Sequence, residues 1–137
     1  MSINAYLFFG GDCAEALTLY ADLMGGKIEM MLRYSEAPDG EDIPAGTENM
    51  VMHAYMTIGG VGVMASDAPG EHDTPQGFAI SYTAKDDADA EKVFAGLSEG
   101  GTVDHDLIET FFATKFGSVT DRFGTPWMVI AERPMEG

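Results

Sequence analysis

One order of elements occurs twice in this chain, and it constrains the fold more than any other feature of the sequence. Residues 3–9 are apolar on both alternating faces, with Ile3, Ala5 and Leu7 on one and Tyr6 and Phe8 on the other, which predicts a strand covered on two sides. After Gly10 and Gly11, Asp12 is placed to cap a helix with Glu15 three residues later. Cys13, Ala16, Leu17, Tyr20, Leu23 and Met24 form the helix's apolar stripe, and Gly25 with Gly26 ends it. Strand-like segments follow at about residues 27–34, 49–58 and 62–66, with a loop at 35–48 rich in Pro, Gly, Asp and Glu.

From Gly77 the order returns: a strand to Thr83, a helix over residues 87–98, Gly100 and Gly101, then further strands ending at 127–132. Ala16, Leu19, Tyr20 and Leu23 match Ala90, Val93, Phe94 and Leu97 at one constant offset, and residues 5–8 match 79–82 at the same offset. Any two amphipathic units align by hydrophobic period, so the helix match is weak by itself. Strand, helix and double glycine recurring together point to duplication. The expected fold class is α+β, with two tandem βαβββ modules at residues 1–70 and 76–134 forming a curved mixed sheet or open barrel. A chain of 137 residues buries one core, so the modules are expected to form a single domain.

Charge and cysteine content narrow the function classes. The net charge of -16, from 7 basic against 23 acidic side chains, repels a phosphate backbone, so nucleic acid is not an expected partner. Such acidity suits either a cationic ligand or divalent-ion site or plain solubility, and acidic residues spread over loops are expected to serve solubility. No apolar run reaches membrane-spanning length, and the N-terminus lacks a basic flank and cleavage site, so no membrane partner is expected. A single cysteine, Cys13, permits no intrachain disulfide and suits a reducing cytoplasm.

Longer motifs carry a resemblance. The opening Asn4-Ala-Tyr-Leu-Phe-Phe-Gly-Gly-Asp-Cys-Ala-Glu-Ala-Leu, His53-Ala-Tyr-Met-Thr-Ile-Gly-Gly, Met64-Ala-Ser-Asp, Glu109-Thr-Phe-Phe and Phe116-Gly-Ser-Val-Thr-Asp-Arg-Phe-Gly-Thr-Pro-Trp-Met run in one order along nearly the whole chain. In order and spacing they resemble the PhnB-like proteins of the glyoxalase and bleomycin-resistance, or vicinal oxygen chelate, superfamily. The resemblance implies two βαβββ modules around a cavity, a homodimer, and fold much more than reaction. Some PhnB-like proteins carry a ubiquinone methyltransferase label, but methyl transfer is not expected of this chain, because no strand leads into a glycine-rich turn with an acidic partner that would read as a nucleotide-type cofactor site.

Metal-dependent relatives place His, Gln or Glu ligands on inward-facing strand positions. Here those positions align with Ala5, Met64, Phe78 or Ala79, and Met128, none of which suits a borderline or hard divalent cation. No metal and no cofactor are therefore expected.

Individual residues allow two readings each. His53, among Met52, Ala54, Tyr55 and Met56, is either a neutral base in a pocket or a histidine satisfied by a backbone group. Arg33 is either an anchor for a ligand's carboxylate or phosphate, or half of an ion pair. His72 and His105 lie in acidic, turn-rich stretches, where each is either a weak metal ligand or, as expected, a solvated loop histidine, and Asp121 with Arg122 is expected to shape a turn. Met64, Phe78, Phe111, Phe112, Trp127 and Met128 either line an adaptable apolar cavity or pack a core, and Thr110 joins them through its motif. Cys13 is expected to be packing.

The leading expectation is a cytoplasmic, homodimeric, metal-free protein that binds a mostly apolar small molecule with one polar end. The alternatives are an enzyme of the same superfamily with lyase, isomerase or dioxygenase-like chemistry, using His53 or an unaligned metal site, and a purely structural module.

Overall fold

The computed structural model describes residues 1–38, 43, 45–68 and 73–134. The chain divides into two compact units, Met1–Asp73 and Thr74–Gly137. In the first, β1 (Ala5–Phe9), α1 (Cys13–Met24), β2 (Lys27–Arg33), β3 (Val51–Ile58) and β4 (Val61–Asp67) follow one another. In the second, the order is β5 (Ile80–Thr83), α2 (Asp87–Ser98), β6 (Thr102–Ile108), β7 (Ala113–Thr120) and β8 (Pro126–Glu132). Each unit forms one mixed four-stranded sheet, ordered β1-β4-β3-β2 and β5-β8-β7-β6. The β1/β4 and β5/β8 pairs are parallel and the others antiparallel. Both modules are thus βαβββ, as the repeat predicts, and neither sheet closes on itself. A short 3-10 turn, Tyr34–Glu36, occupies the start of the expected loop, and β5 begins three residues later than Gly77. Among the described residues, no helix is long and apolar enough to cross a membrane.

Strand alternation divides each sheet into a helix-covered and an open face. In the first unit Leu7, Phe9, Ala54, Met56, Val63 and Ala65 are buried with Cys13, Ala16, Leu17, Tyr20 and Met24 of α1. Each large side chain removed from water there contributes about 1.5–3 kcal/mol. Tyr6 and Phe8 point the other way and are 38% and 56% exposed. The two-sided cover expected for β1 is therefore absent: its second apolar row is aromatic and ends in a phenol that a wet surface tolerates. In the second unit Val119, Trp127, Val129 and Ala131 meet Ala90, Val93 and Leu97 of α2.

The copies do not superpose at one offset. Buried Leu17, Tyr20 and Met24 correspond to Ala90, Val93 and Leu97, one residue away from the sequence match. In the strands Tyr6 pairs with Met64 and Ser81 with Met128, so the counterpart of Tyr6 is Ser81 rather than Ile80. The strand-to-helix connection is two residues shorter in the second copy, since Leu7 to Leu17 spans 10 positions and Tyr82 to Ala90 spans 8. Two residues, Ser98 and Glu99, restore the phase before Gly100.

The second glycine of each pair does the same work in both units; the first does not. Gly25, at φ 65°, is the left-handed cap that ends α1, whereas α2 ends on extended Glu99 and Gly100, at φ 74°, sits in a turn closed by the Gly101 N–H donating to the Ser98 carbonyl at 2.9 Å. A Cβ on Gly26 would lie 2.8 Å from the Thr57 carbonyl oxygen, and one on Gly101 would collide with the Thr120 carbonyl. Gly101→Ala is expected to destabilise the fold by about 1–3 kcal/mol, because backbone yields less readily than a side chain. Urea titration measures it, and an unchanged midpoint would show that the helix end tolerates displacement.

Asp12 does not cap α1 with its side chain. Asp67, at the end of β4, supplies the acceptor instead: Oδ1 takes the Gly11 and Cys13 N–H groups and Oδ2 that of Val51, each at 2.9 Å. A buried carboxylate so placed satisfies helix-start donors and joins them to β3. The second helix uses the local rule, with Asp86 accepting from the Asp89 N–H at 2.7 Å. Asp89 in turn accepts from the Tyr82 hydroxyl at 2.7 Å. Burial first, and this hydrogen bond second, push the Tyr82 phenol up to about 12.

Candidate functional site

The open face of the first sheet gathers the chemistry. On β3, His53 and Tyr55 alternate with buried Ala54 and Met56, and register sets Tyr55 beside Met64 and Met64 beside Tyr6. The Tyr6 hydroxyl reaches across β4 to His53 Nδ1 at 3.0 Å, and the two rings stack at 5.7 Å between centroids. Phe8 extends this surface, 4.9 Å from Tyr6. Met30 on β2 pairs with Tyr55 and is half-exposed. Gly62 keeps its side of the sheet low, since a Cβ there would come within 2.5 Å of the Tyr55 hydroxyl oxygen. One polar pair thus sits in a surface of rings and thioethers.

Of the residues singled out from sequence, His53 and Met64 share this face. Arg33 does other work: its Nη1 donates to the Asn49 carbonyl at 2.6 Å and its backbone N–H to Glu36 Oε1 at 3.2 Å, joining the end of β2 to the segment before β3. His72 and its neighbour Glu71 lie outside the described residues.

In the second unit, Met128 lies on the open face beside Ser81 and Ser118, with Phe116 and Ile130 on the same side. Phe112 meets Phe116 edge-on at 5.1 Å. Trp127 neighbours Met128 in sequence and therefore points to the other face. It is 3% exposed, and its indole N–H donates to Asp121 Oδ2 at 3.0 Å. Both residues cannot line one surface, because strand neighbours alternate. Asp121 Oδ1 also accepts from the Phe123 and Thr125 N–H groups, so it shapes the turn before β8 as its sequence suggests. Phe78 precedes β5 and is half-exposed. Thr110 organises the β6–β7 turn: its hydroxyl accepts from the Ala113 N–H, and its carbonyl accepts from Arg133 Nε at 3.0 Å. Arg133 also pairs with Glu109, which leaves Phe111 standing out from the turn at 92% exposure. His105 is exposed and lies in strand β6 opposite Ser118, not in a turn.

The aligned metal positions offer no fitting donor set. Alternation puts Ala5 on the helix side with Leu7, leaving Tyr6 as the residue beside Met64; in the second unit the corresponding pair is Ser81 and Met128. A phenol, an alcohol and two thioethers are poor donors for a borderline or hard divalent cation. Among the described residues, no group of three or more His, Cys, Asp or Glu side chains gathers as a metal site would.

Tyr6, Phe8 and Tyr55 were not identified from sequence as site residues. Alternation along residues 3–9 already puts Tyr6 and Phe8 together, whereas the contact of Tyr6 with His53 depends on the β1-β4-β3 order, which sequence does not print.

A family model described as 3-demethylubiquinone-9 3-methyltransferase matches residues 1–130. Protein YjdN of Escherichia coli is 30% identical over 99% of this chain and 100% of its own length. Protein PA1353 from Pseudomonas aeruginosa is 38% identical, with a TM-score of 0.88 over 98% of this chain and 99% of that one. The PhnB protein from Bacillus cereus is 26% identical, with a TM-score of 0.81 over 96% and 99%. Two βαβββ modules also form the fold of a glyoxylase/bleomycin resistance protein/dioxygenase domain from Frankia, 14% identical with a TM-score of 0.68 over 97% of this chain and 98% of that one. Motifs along nearly the whole chain and these matches agree: the chain belongs to the family described as 3-demethylubiquinone-9 3-methyltransferase and is similar to the PhnB protein.

Proposed function

We propose that this protein binds a small, mostly apolar molecule with one polar end, without a metal, on the open face of its first sheet. The observation that carries the reading is the Tyr6–His53 pair at 3.0 Å, set among Phe8, Tyr55, Met30 and Met64. Apolar surface with a few placed polar groups is what small-molecule sites use for affinity and orientation. The test is His53→Gln, which keeps most of the side chain's volume and removes the imidazole. The variant is expected to keep its melting temperature while losing about three- to tenfold in affinity for the molecule that co-purifies with the wild type, the cost of one hydrogen bond. A sharply lowered melting temperature with binding intact would assign His53 to the fold instead.

Methyl transfer has less support than the family's description suggests. The Gly10-Gly11 turn does join a strand to a helix, as a nucleotide-type cofactor site requires. Its Gly11 and Cys13 amides, however, already donate to Asp67, so these backbone donors are spent within the fold rather than offered to a cofactor.

The same reading places the protein in the cytoplasm, supported by its single, buried cysteine. It also makes the protein a homodimer, supported by unclosed sheets and by exposed Ile108 and Phe111. Light scattering is expected to give twice the 14.7 kDa chain mass; 14.7 kDa across the micromolar range would contradict it.

A further inference from the structure

The two copies of the module serve as an internal control. Register makes Ser81, Thr83 and Phe116 the counterparts of Tyr6, Phe8 and His53, around the shared Met64 and Met128. The second sheet builds its open face without a phenol–imidazole pair at these positions, so the module does not need one to form its sheet. The pair is a specialisation of the first unit.

Its geometry also fixes a direction. A phenol O–H is a good donor and its oxygen a weak acceptor, whereas the unprotonated imidazole nitrogen is a good acceptor. We propose that the Tyr6 hydroxyl donates to His53 Nδ1, holding the neutral ring with its proton on Nε2, so that Nε2–H binds an acceptor oxygen on a flat, non-anionic ligand lying against Phe8 and the Tyr6–His53 stack. Among the described residues no hydrogen bond engages Nε2. Ligand shape follows from the rings, 4.9 Å from Phe8 to Tyr6 and 5.7 Å from Tyr6 to His53, which offer faces to a planar molecule. That the ligand is not an anion follows from the net charge of -16, which raises the free energy of any anion near the surface. A carbonyl or amide oxygen on a conjugated ring meets these conditions. Tyr6 is then a positioning residue, acting through His53. The inference rests on the binding reading above.

The experiment uses the full chain, labelled with nitrogen-15, with benzamide as the probe. The ring nitrogens of His53 are assigned by their loss in His53→Gln and followed at a pH where the ring is neutral. In the wild type, Nδ1 is expected to give the signal of an unprotonated nitrogen and Nε2 that of a protonated one. Tyr6→Phe, with its amide fingerprint otherwise retained, is expected to move both toward the average of two exchanging tautomers, which a merely structural role for Tyr6 does not do. Benzamide is expected to shift Nε2 in the wild type and to bind about three- to tenfold more weakly to both variants, the loss of one hydrogen bond. A protonated Nδ1 in the wild type, or nitrogen shifts unmoved by Tyr6→Phe, overturns the positioning role. A held tautomer with no response anywhere to benzamide overturns the ligand class and leaves the binding reading to the co-purified molecule. Benzamide shifts confined to Phe116 and Met128 would overturn both.

Discussion

Alkylation of Cys13 in the folded protein at about pH 8 is expected to run about a thousandfold slower than in the same chain unfolded in urea, because only the thiolate reacts. The side chain is fully buried on the inner face of α1. Burial pushes its thiol from the ordinary 9.0 up to about 12, with the Asp67 and Asp12 carboxylates adding to the rise and Arg33 opposing it. Three units of pKa lower the thiolate fraction by that factor. The sign also sets the stability profile: a proton held more tightly in the folded state contributes fully below the unfolded value of 9.0 and is lost as pH rises toward 12. Timed mass spectrometry with iodoacetamide measures the ratio. A folded-state rate within tenfold of the unfolded one would mean that α1 opens readily from its sheet.

Asp67→Ala is expected to destabilise the protein by at least about 3 kcal/mol, since it strips partners from three backbone donors at about 1–3 kcal/mol each. Two of these, the Cys13 and Val51 N–H groups, are buried, and Gly11's is partly so. Asp67→Asn is expected to fall between the two, because its amide oxygen keeps one set of bonds while its NH2 group opposes a remaining donor. Chemical denaturation of both variants measures the order. Asp67→Ala with a near-native midpoint would show that Asp12 or water takes over the helix start.

The fold was largely legible because its signals are local. The apolar stripe of α1, the double glycines and the alternation along β1 and β3 act over a few residues, and they gave the βαβββ order twice. Residues that work by long-range pairing were not legible. Asp12 looked like the cap of α1 because only neighbours are visible in sequence; Asp67 holds that role from 54 positions beyond Cys13. The candidate site divides in the same way. His53 was visible as an imidazole in an apolar strand, but Tyr6 entered only when β4 brought β1 within reach of β3. Trp127 and Met128 shared a motif, and alternation separated them. Arg33 reads as an anion anchor or half of an ion pair, and its bond to the Asn49 carbonyl is a contact that sequence does not print.

Native mass spectrometry of untagged protein purified without chelators tests the metal-free binding reading most directly, since bound organic molecules and bound metal appear in one spectrum. The expected result is a population carrying a small organic molecule that collision releases, with no stoichiometric nickel, zinc or iron. About one tightly held metal ion per chain, with no organic molecule retained, would contradict it and turn attention to His53, His72 and His105 as ligands.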